Sequence, residues 1–187
     1  MMKRIAIIIV LVLFMFSGTY SAEVHVGVSP GIGTLSHSEL LSEYGSSFVY
    51  CLYVGAELFN GMTINVGYEG GYSKSSSLVY DSILEISGFQ LFGEYSINMG
   101  KTFTFVKWGI AVYMAKRSFT APELKEYDFT ETNPGFLFGF GMKIPLTNSI
   151  QLKVELIDLT VQMKPFYGWV DAGGVRILAG LVINFNI

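Results

Sequence analysis

The chain has 187 residues, enough for one domain or two small ones. Only 14% of them are charged, whereas 15% are aromatic and 21 are glycine. This composition excludes intrinsic disorder, because there is much apolar surface to bury and little charge. It also excludes a coiled coil, which is dominated by Ala, Glu, Lys, Leu and Arg. Few charges combined with many aromatic residues and glycines are typical of a membrane protein.

Residues 1–22 have the three parts of a secretory signal peptide. Lys3 and Arg4 form a basic start, residues 5–16 form an unbroken apolar run, and small residues follow. The run is too short for a usual membrane-spanning helix. We predict cleavage near Ser21 or Ala22 and a single mature domain of residues 23–187. An uncleaved membrane anchor is the alternative.

The mature chain is acidic and contains one cysteine. Without Lys3 and Arg4 it has 10 basic and 15 acidic residues, a net charge of −5, and no basic stripe. We therefore expect no nucleic-acid partner. Cys51 has no second cysteine to pair with, which excludes an internal disulfide.

After residue 22 the hydrophobic pattern has a period of two, which predicts strands. The alternating segments are residues 24–29, 48–58, 62–69, 90–97, 107–114, 136–144, 150–156 and 175–187. No sustained helical pattern separates them. We therefore predict an all-β chain of eight antiparallel strands.

The connections between these strands alternate in length. Short turns are predicted near residues 60–61, 98–102 and 145–149. Longer polar connections cover residues 34–47, 73–82, 116–133 and 163–173. An even strand number with alternating short turns and long loops predicts an up-and-down transmembrane β-barrel whose long loops face outward. A closed barrel pairs all backbone groups, which a lipid environment requires.

One face of the predicted strands carries glycines and most of the strand charges. The charged residues predicted to face the lumen are Glu57, Glu69, Glu94, Lys107, Lys143, Lys153, Glu155 and Arg176. An eight-stranded barrel is just filled by its side chains, so these charges are expected to neutralise one another inside. A soluble barrel or sandwich with the opposite orientation of its faces is the alternative, because alternation alone does not distinguish the two.

Two strand registers follow from this arrangement. A turn centred between Gly100 and Lys101 puts Glu94 opposite Lys107, and we predict an ion pair between them. We also predict Tyr53 opposite Glu69. A two-residue turn at residues 60–61 has the wrong parity for that pairing, so we expect a three-residue or bulged turn there.

The signal, the eight alternating segments, the loop asymmetry and the aromatic last strand together resemble the small outer-membrane barrels of the OmpA and OmpX type. The resemblance is architectural and carries no residue signature. It implies a bacterial outer membrane, contact with its lipid and lipopolysaccharide, and insertion by the barrel-assembly machinery.

Candidate catalytic residues are few. His37 in the first long connection, with Asp81 and Ser82 in the second, resembles the outer-membrane palmitoyltransferase barrels that modify lipid A. That family begins with an amphipathic helix, which the predicted mature chain lacks. His25 is interpreted as a hydrogen-bonded filler of the interior, because no second ligand lies at metal spacing. We expect no metal and no cofactor.

The outer loops remain as the predicted functional surface, since binding residues commonly lie on loops over a rigid scaffold. The candidate contact residues are Lys116, Arg117, Glu123, Lys125, Glu126, Asp128, Phe166, Tyr167 and Trp169. We predict a structural or surface-interaction protein with a plugged lumen and no catalysis, whose loops could bind an extracellular ligand. The alternatives are a narrow channel for small or hydrophobic molecules and a lipid A acyl-modifying enzyme.

Overall fold

The structure is a computed structural model and describes residues 23–36, 38–76, 81–121, 124–163, 170–171 and 173–186. The predicted signal peptide lies outside these residues. The elements are β1 (Glu23–Thr34), α1 (Ser38–Tyr44), β2 (Ser46–Phe59), β3 (Met62–Ser76), β4 (Asp81–Asn98), β5 (Phe103–Ala121), β6 (Leu124–Pro145), β7 (Ile150–Met163), β8 (Val170–Asp171) and β9 (Gly174–Asn186). Within the described residues, no helix has the length and apolar character needed to cross a bilayer.

In the described part of the chain, β1 to β7 and β9 form a closed antiparallel barrel of eight strands. Each strand pairs with its sequence neighbour, β7 pairs with β9, and β9 pairs with β1 to close the ring. The two-residue β8 pairs only with Gln162 and Met163, the last two residues of β7. The predicted all-β, up-and-down, eight-stranded fold is thus confirmed. We call the end with the three short turns and Glu23 the turn end, and the end with α1 the loop end.

The strands extend further at the loop end than the hydrophobic pattern predicts. β5 has 19 residues and β6 has 22, whereas a tilted transmembrane strand needs about 9–11. Pairing continues to Ala121 opposite Leu124, so most of the predicted loop 116–133 is a projecting hairpin. Polar residues such as those at 116–133 lack the apolar alternation by which a strand is recognised, but their backbones still pair.

The outward face of the barrel is apolar. Ile32, Phe136 and Ile177 are 60–66% exposed, as are many other large apolar side chains that alternate with buried ones. The aromatic residues near the strand ends (Phe48, Tyr50, Phe59, Tyr72 and Tyr95) also point outward. This arrangement excludes the soluble alternative, because so large an apolar surface is unfavourable in water and matches hydrocarbon with flanking aromatic girdles.

Candidate functional site: the interior and the loop-end mouth of the barrel

The middle of the barrel interior contains two lysines and two glutamates in contact. The Lys153 ammonium lies 2.7 Å from Glu94 Oε2 and 3.2 Å from Glu155 Oε2. Lys107 lies 3.4 Å from the same Glu155 oxygen, and Lys143 forms an ion pair with Glu94 from nearer the turn end. Lys107 and Lys153 are 0% exposed. Burying charges in this way is tolerated only because each finds an opposite charge at hydrogen-bond distance.

Aromatic rings surround these ammonium groups. Lys107 Nζ lies 4.0 Å from the Phe92 ring centroid, and Lys153 Nζ lies 4.5 Å from that of Phe105 and 4.8 Å from that of Tyr53. Ring faces attract cations, most strongly where water is excluded. The rings therefore supply both apolar packing and part of the solvation that the lysines lose.

A second charged pair lies nearer the loop end. Arg176 Nε is 2.6 Å from Glu69 Oε1, and Gln90 Nε2 donates to Glu69 Oε2 at 2.8 Å. Gln90 also donates to the Tyr113 hydroxyl at 2.5 Å. Between this pair and the loop end the interior is aliphatic, with Val49, Leu84, Ile86, Leu159 and Val161 all buried. The half of the lumen nearer the turn end is thus charged, and the half nearer the loop end is mostly apolar.

The structure places seven of the eight predicted lumen charges in the interior, each at most 9% exposed. The eighth, Glu57, is half-buried at the turn end, where its Oε1 accepts a hydrogen bond from Gly61 N at 2.8 Å. Glu57 therefore stabilises the β2–β3 turn and lies apart from the central group.

The register predictions had different outcomes. Glu94 is opposite Lys107, as predicted. The ion partners of Glu94 are nevertheless Lys143 and Lys153, which reach it across the lumen from β6 and β7. The pairing of Tyr53 with Glu69 was wrong, because Tyr53 lies opposite Gly67 and Cys51 opposite Glu69. The expected bulge is present between Glu57 and Phe59, beside a two-residue turn.

At the turn end the interior opens into a polar cavity of about 390 Å³. It reaches inward to Lys143, and amide side chains such as Asn98 and Asn184 line it with Glu23 and Glu57. His25 faces the cavity, and its Nε2 lies 2.7 Å from Asn65 Oδ1, as expected for a hydrogen-bonded filler. Among the described residues, no cluster of three His, Cys, Asp or Glu side chains is placed to hold a metal ion.

The loop-end mouth is covered by α1, which the hydrophobic pattern did not predict. Tyr44 at the end of α1 is 5% exposed, and its hydroxyl contacts Ser82 Oγ and accepts from Arg117 Nε at 2.6 Å. The Arg117 guanidinium also binds the Glu43 carboxylate at 2.6 Å. A phenol is ordinarily protonated at neutral pH, and burial raises the pKa of Tyr44 further above its usual value.

A local signal for α1 is present in the sequence. Ser38–Tyr44 has no β-branched residue and is followed by Gly45, which has φ +61° and donates its N–H to Leu41 O at 2.8 Å. A glycine in this conformation commonly ends a helix. With only seven residues, the segment is too short to show a helical period against the alternating segments on either side.

The structure describes two of the three candidate catalytic residues, Asp81 and Ser82. His37 lies outside the described residues. Asp81 is exposed and lies 3.7 Å from Lys74, whereas Ser82 is 0% exposed beneath Tyr44. A buried Ser82 hydroxyl that contacts a phenol has no access to an acyl chain in the surrounding lipid.

The candidate loop contacts are placed differently from one another. Arg117 points into the mouth, where its guanidinium contacts Tyr44 and Glu43 of α1. Lys116 lies opposite Thr130 and is half-buried on the hairpin wall. The other seven side chains, those of Glu123, Lys125, Glu126, Asp128, Phe166, Tyr167 and Trp169, lie outside the described part of the structure.

A closed eight-stranded barrel with an apolar wall and a charged interior is the architecture of transmembrane β-barrels. Comparison with solved structures agrees. Neisserial surface protein A is similar with a TM-score of 0.64 at 12% identity, covering 89% of this chain and 98% of that one. OprG of Pseudomonas aeruginosa has a TM-score of 0.60 at 9% identity, covering 91% and 99%. The attachment invasion locus protein of Yersinia pestis has a TM-score of 0.56 at 11% identity, covering 88% and 97%.

These likenesses show the fold, which is that of the eight-stranded outer-membrane barrels. Neither the comparison with family models nor that with curated protein sequences found a match.

Proposed function

We propose that the protein resides in a bacterial outer membrane, has a plugged lumen and acts through its extracellular surface as a structural or surface-interaction protein. The observation that carries the proposal is the central charge cluster, in which Lys107 and Lys153 are 0% exposed and each contacts a buried carboxylate. Water and ions passing through the lumen would have to separate these pairs, which is costly in a poorly hydrated interior. The attachment invasion protein that shares the fold also supports a surface role.

Orientation is tested by labelling single cysteines on intact cells with a membrane-impermeant maleimide. Ser42→Cys lies on the exposed part of α1, and Lys101→Cys lies in an exposed turn at the other end. Native Cys51 is 0% exposed and provides an unlabelled background. We expect labelling of Ser42→Cys only, until the cells are permeabilised. If only Lys101→Cys is labelled on intact cells, the orientation is the opposite of the one proposed.

Plugging is tested by reconstituting the protein in planar bilayers. We expect no steady conductance, and a regular conductance would favour a narrow channel. The cavity of about 390 Å³ at the turn end is the feature that favours this alternative.

The surface role is tested by shortening the β5–β6 hairpin. Residues 119–127 are replaced with Asn-Gly, a pair suited to a two-residue turn between the partners Ser118 and Asp128. Adhesion of expressing cells to abiotic and protein-coated surfaces should fall to the level of cells without the protein. A Lys101→Ser variant at the opposite end should adhere like wild type. Unchanged adhesion after shortening would contradict a role for this hairpin.

A lipid A acyl-modifying activity is the remaining alternative. The burial of Ser82 under Tyr44 argues against it. Mass spectrometry of lipid A from cells with and without the protein should give identical spectra, and an additional acyl chain would overturn this part of the proposal.

A further inference from the structure

The mouth of the barrel at the loop end contains a phenol that belongs to a surface element. Tyr44 is contributed by α1, on the connection between β1 and β2, and its hydroxyl reaches Ser82 on β4 and Arg117 on β5. The side chain thus crosses the mouth from one wall towards the other. It belongs to the same buried apolar cluster as Leu35, Leu84 and Ile86.

The groups around this hydroxyl provide specific recognition of a phenol. Arg117 Nε donates to the phenol oxygen, and the phenol and Ser82 hydroxyls form a second hydrogen bond in which either can donate. Arg117 also lies 5.4 Å from the ring centroid, within range of a cation–π contact. Ser82 is 0% exposed, so it loses its partner without gaining water if the phenol is replaced by a plain benzene ring.

The element that carries Tyr44 is held less firmly than the barrel. α1 has seven residues, and isolated helices of this length are marginal in water. Leu41 is 41% exposed and Ser42 is also exposed, so both side chains lie at the surface. The Arg117–Glu43 ion pair, whose side chains are 14% and 22% exposed, is one of its main attachments. Such an element opens at a lower free energy than the strands beneath it.

We propose that the loop-end mouth is a binding site for para-substituted phenols, in which Tyr44 is the tethered occupant that an external phenol displaces. Tyr44 is 5% exposed and its hydroxyl already occupies Ser82 and Arg117, so a ligand enters only when Tyr44 leaves. The apparent affinity of wild type is therefore the affinity of the empty site reduced by the fraction of molecules with α1 open. The inference rests on the proposed function only in taking the α1 end to be extracellular.

The test is calorimetric titration of the full mature protein in phosphatidylcholine nanodiscs, with empty nanodiscs as the blank. N-acetyltyrosinamide represents a tyrosine side chain of a partner, p-cresol represents a free small phenol, and N-acetylphenylalaninamide lacks the hydroxyl. We expect N-acetyltyrosinamide to bind wild type weakly. Binding should be about fivefold tighter in Glu43→Gln, which neutralises the carboxylate that pairs with Arg117. It should be tightest in Tyr44→Ala, where the site is empty.

Discrimination between the ligands tests the chemistry of the site. N-acetylphenylalaninamide should bind Tyr44→Ala about tenfold more weakly than N-acetyltyrosinamide, because it offers no hydroxyl to buried Ser82 or to Arg117. Adding Ser82→Ala to Tyr44→Ala should reduce this difference. If p-cresol binds and N-acetyltyrosinamide does not, the ligand is a free small phenol. If both compounds bind, a tyrosine side chain of a protein also fits the site.

Two results would overturn the proposal. If N-acetyltyrosinamide binds Tyr44→Ala but neither wild type nor Glu43→Gln, Tyr44 is an ordinary packing residue that does not yield to a ligand. If the tyrosine and phenylalanine derivatives bind equally, the site does not recognise a phenol. The comparison of Glu43→Gln with wild type holds even if Tyr44→Ala does not fold. The maleimide labelling reports the orientation separately from either result.

Discussion

At the residue scale, the inward glycines serve aromatic rings as well as charges. A Cβ on Gly27 would lie 2.1 Å from Tyr53 Cζ, and one on Gly141 would lie 2.6 Å from Phe105 Cζ. In the sequence, glycines share the inward face with the charged residues, and direct accommodation of the long charged side chains would be the simplest role for them. In the structure the rings lie on the glycine backbone and the lysines lie on the rings, so the glycines admit the charges indirectly.

We expect Gly27→Ala to destabilise the barrel by about 1–3 kcal/mol, because the new methyl group displaces the Tyr53 ring in a packed interior. The measurement is the free energy of unfolding in urea with the protein in lipid vesicles. The double variant Gly27→Ala/Tyr53→Leu removes the overlapping ring atoms and should recover part of the loss. Equal stability of Gly27→Ala and wild type would show that Tyr53 moves freely.

The central lysine supports a second prediction. Lys153→Met leaves the buried carboxylates of Glu94 and Glu155 with fewer partners, and we expect a loss of about 3–5 kcal/mol. Adding Glu155→Gln should restore part of the stability, because it removes the surplus negative charge. Lys101→Met, in an exposed turn, is the matched control and should unfold like wild type. A Lys153→Met protein as stable as wild type would mean that water already solvates this cluster.

At the element scale, the strands and α1 have different sources of stability. The strands are held by continuous ladders, such as the pairing of β4 with β5 from Asp81 opposite Thr120 to Asn98 opposite Phe103. In the described part of α1, the contacts that hold it include the helix end at Gly45 and those of Glu43 and Tyr44. Local opening of α1 is therefore expected without unfolding of the barrel.

Gly45→Ala tests this separation. Gly45 has φ +61°, and a methyl group on its Cα would have no atom within 4 Å, so the substitution acts only through the backbone conformation. The left-handed conformation costs a residue with a Cβ about 1–2 kcal/mol, which should speed amide hydrogen exchange in residues 38–44 about 5- to 30-fold.

Gly100→Ala is the matched control for that experiment. Gly100 also has a positive φ, +83°, with nothing within 4 Å, but it lies in the β4–β5 turn at the opposite end. Exchange in α1 should be unchanged in this variant. Faster exchange of α1 in both variants would show that the helix opens only together with the barrel.

At the scale of the whole molecule, closure of the ring determines stability. β1 pairs with β9, so neither the first nor the last strand is left with an unpaired edge. We expect the mature protein to migrate differently on a detergent gel before and after boiling, because a closed barrel resists detergent. Deletion of residues 174–187 removes β9 and should abolish the difference. Identical mobility of the full-length mature protein before and after boiling would contradict a closed barrel.

Much of this molecule follows from the sequence alone. Strand number, the order of short and long connections, the inward placement of seven charges and the pairing of Glu94 with Lys107 depend on period-two alternation and turn parity. Both are local properties of a chain whose side chains point alternately to two faces. The extent of β5 and β6 was not predictable in this way, because backbone pairing beyond the apolar belt needs no hydrophobic pattern.

The partners inside the barrel were decided only by the tertiary structure. Glu94 is opposite Lys107, yet its ion pairs are with Lys143 and Lys153, and Lys107 contacts Glu155 instead. Likewise Tyr44 meets Ser82 and Arg117, which are 38 and 73 residues away. Closing a sheet into a narrow tube brings distant strands within a side-chain length of one another. Which side chains then meet depends on their relative height in the tube, and the stagger of the closed ring sets that height.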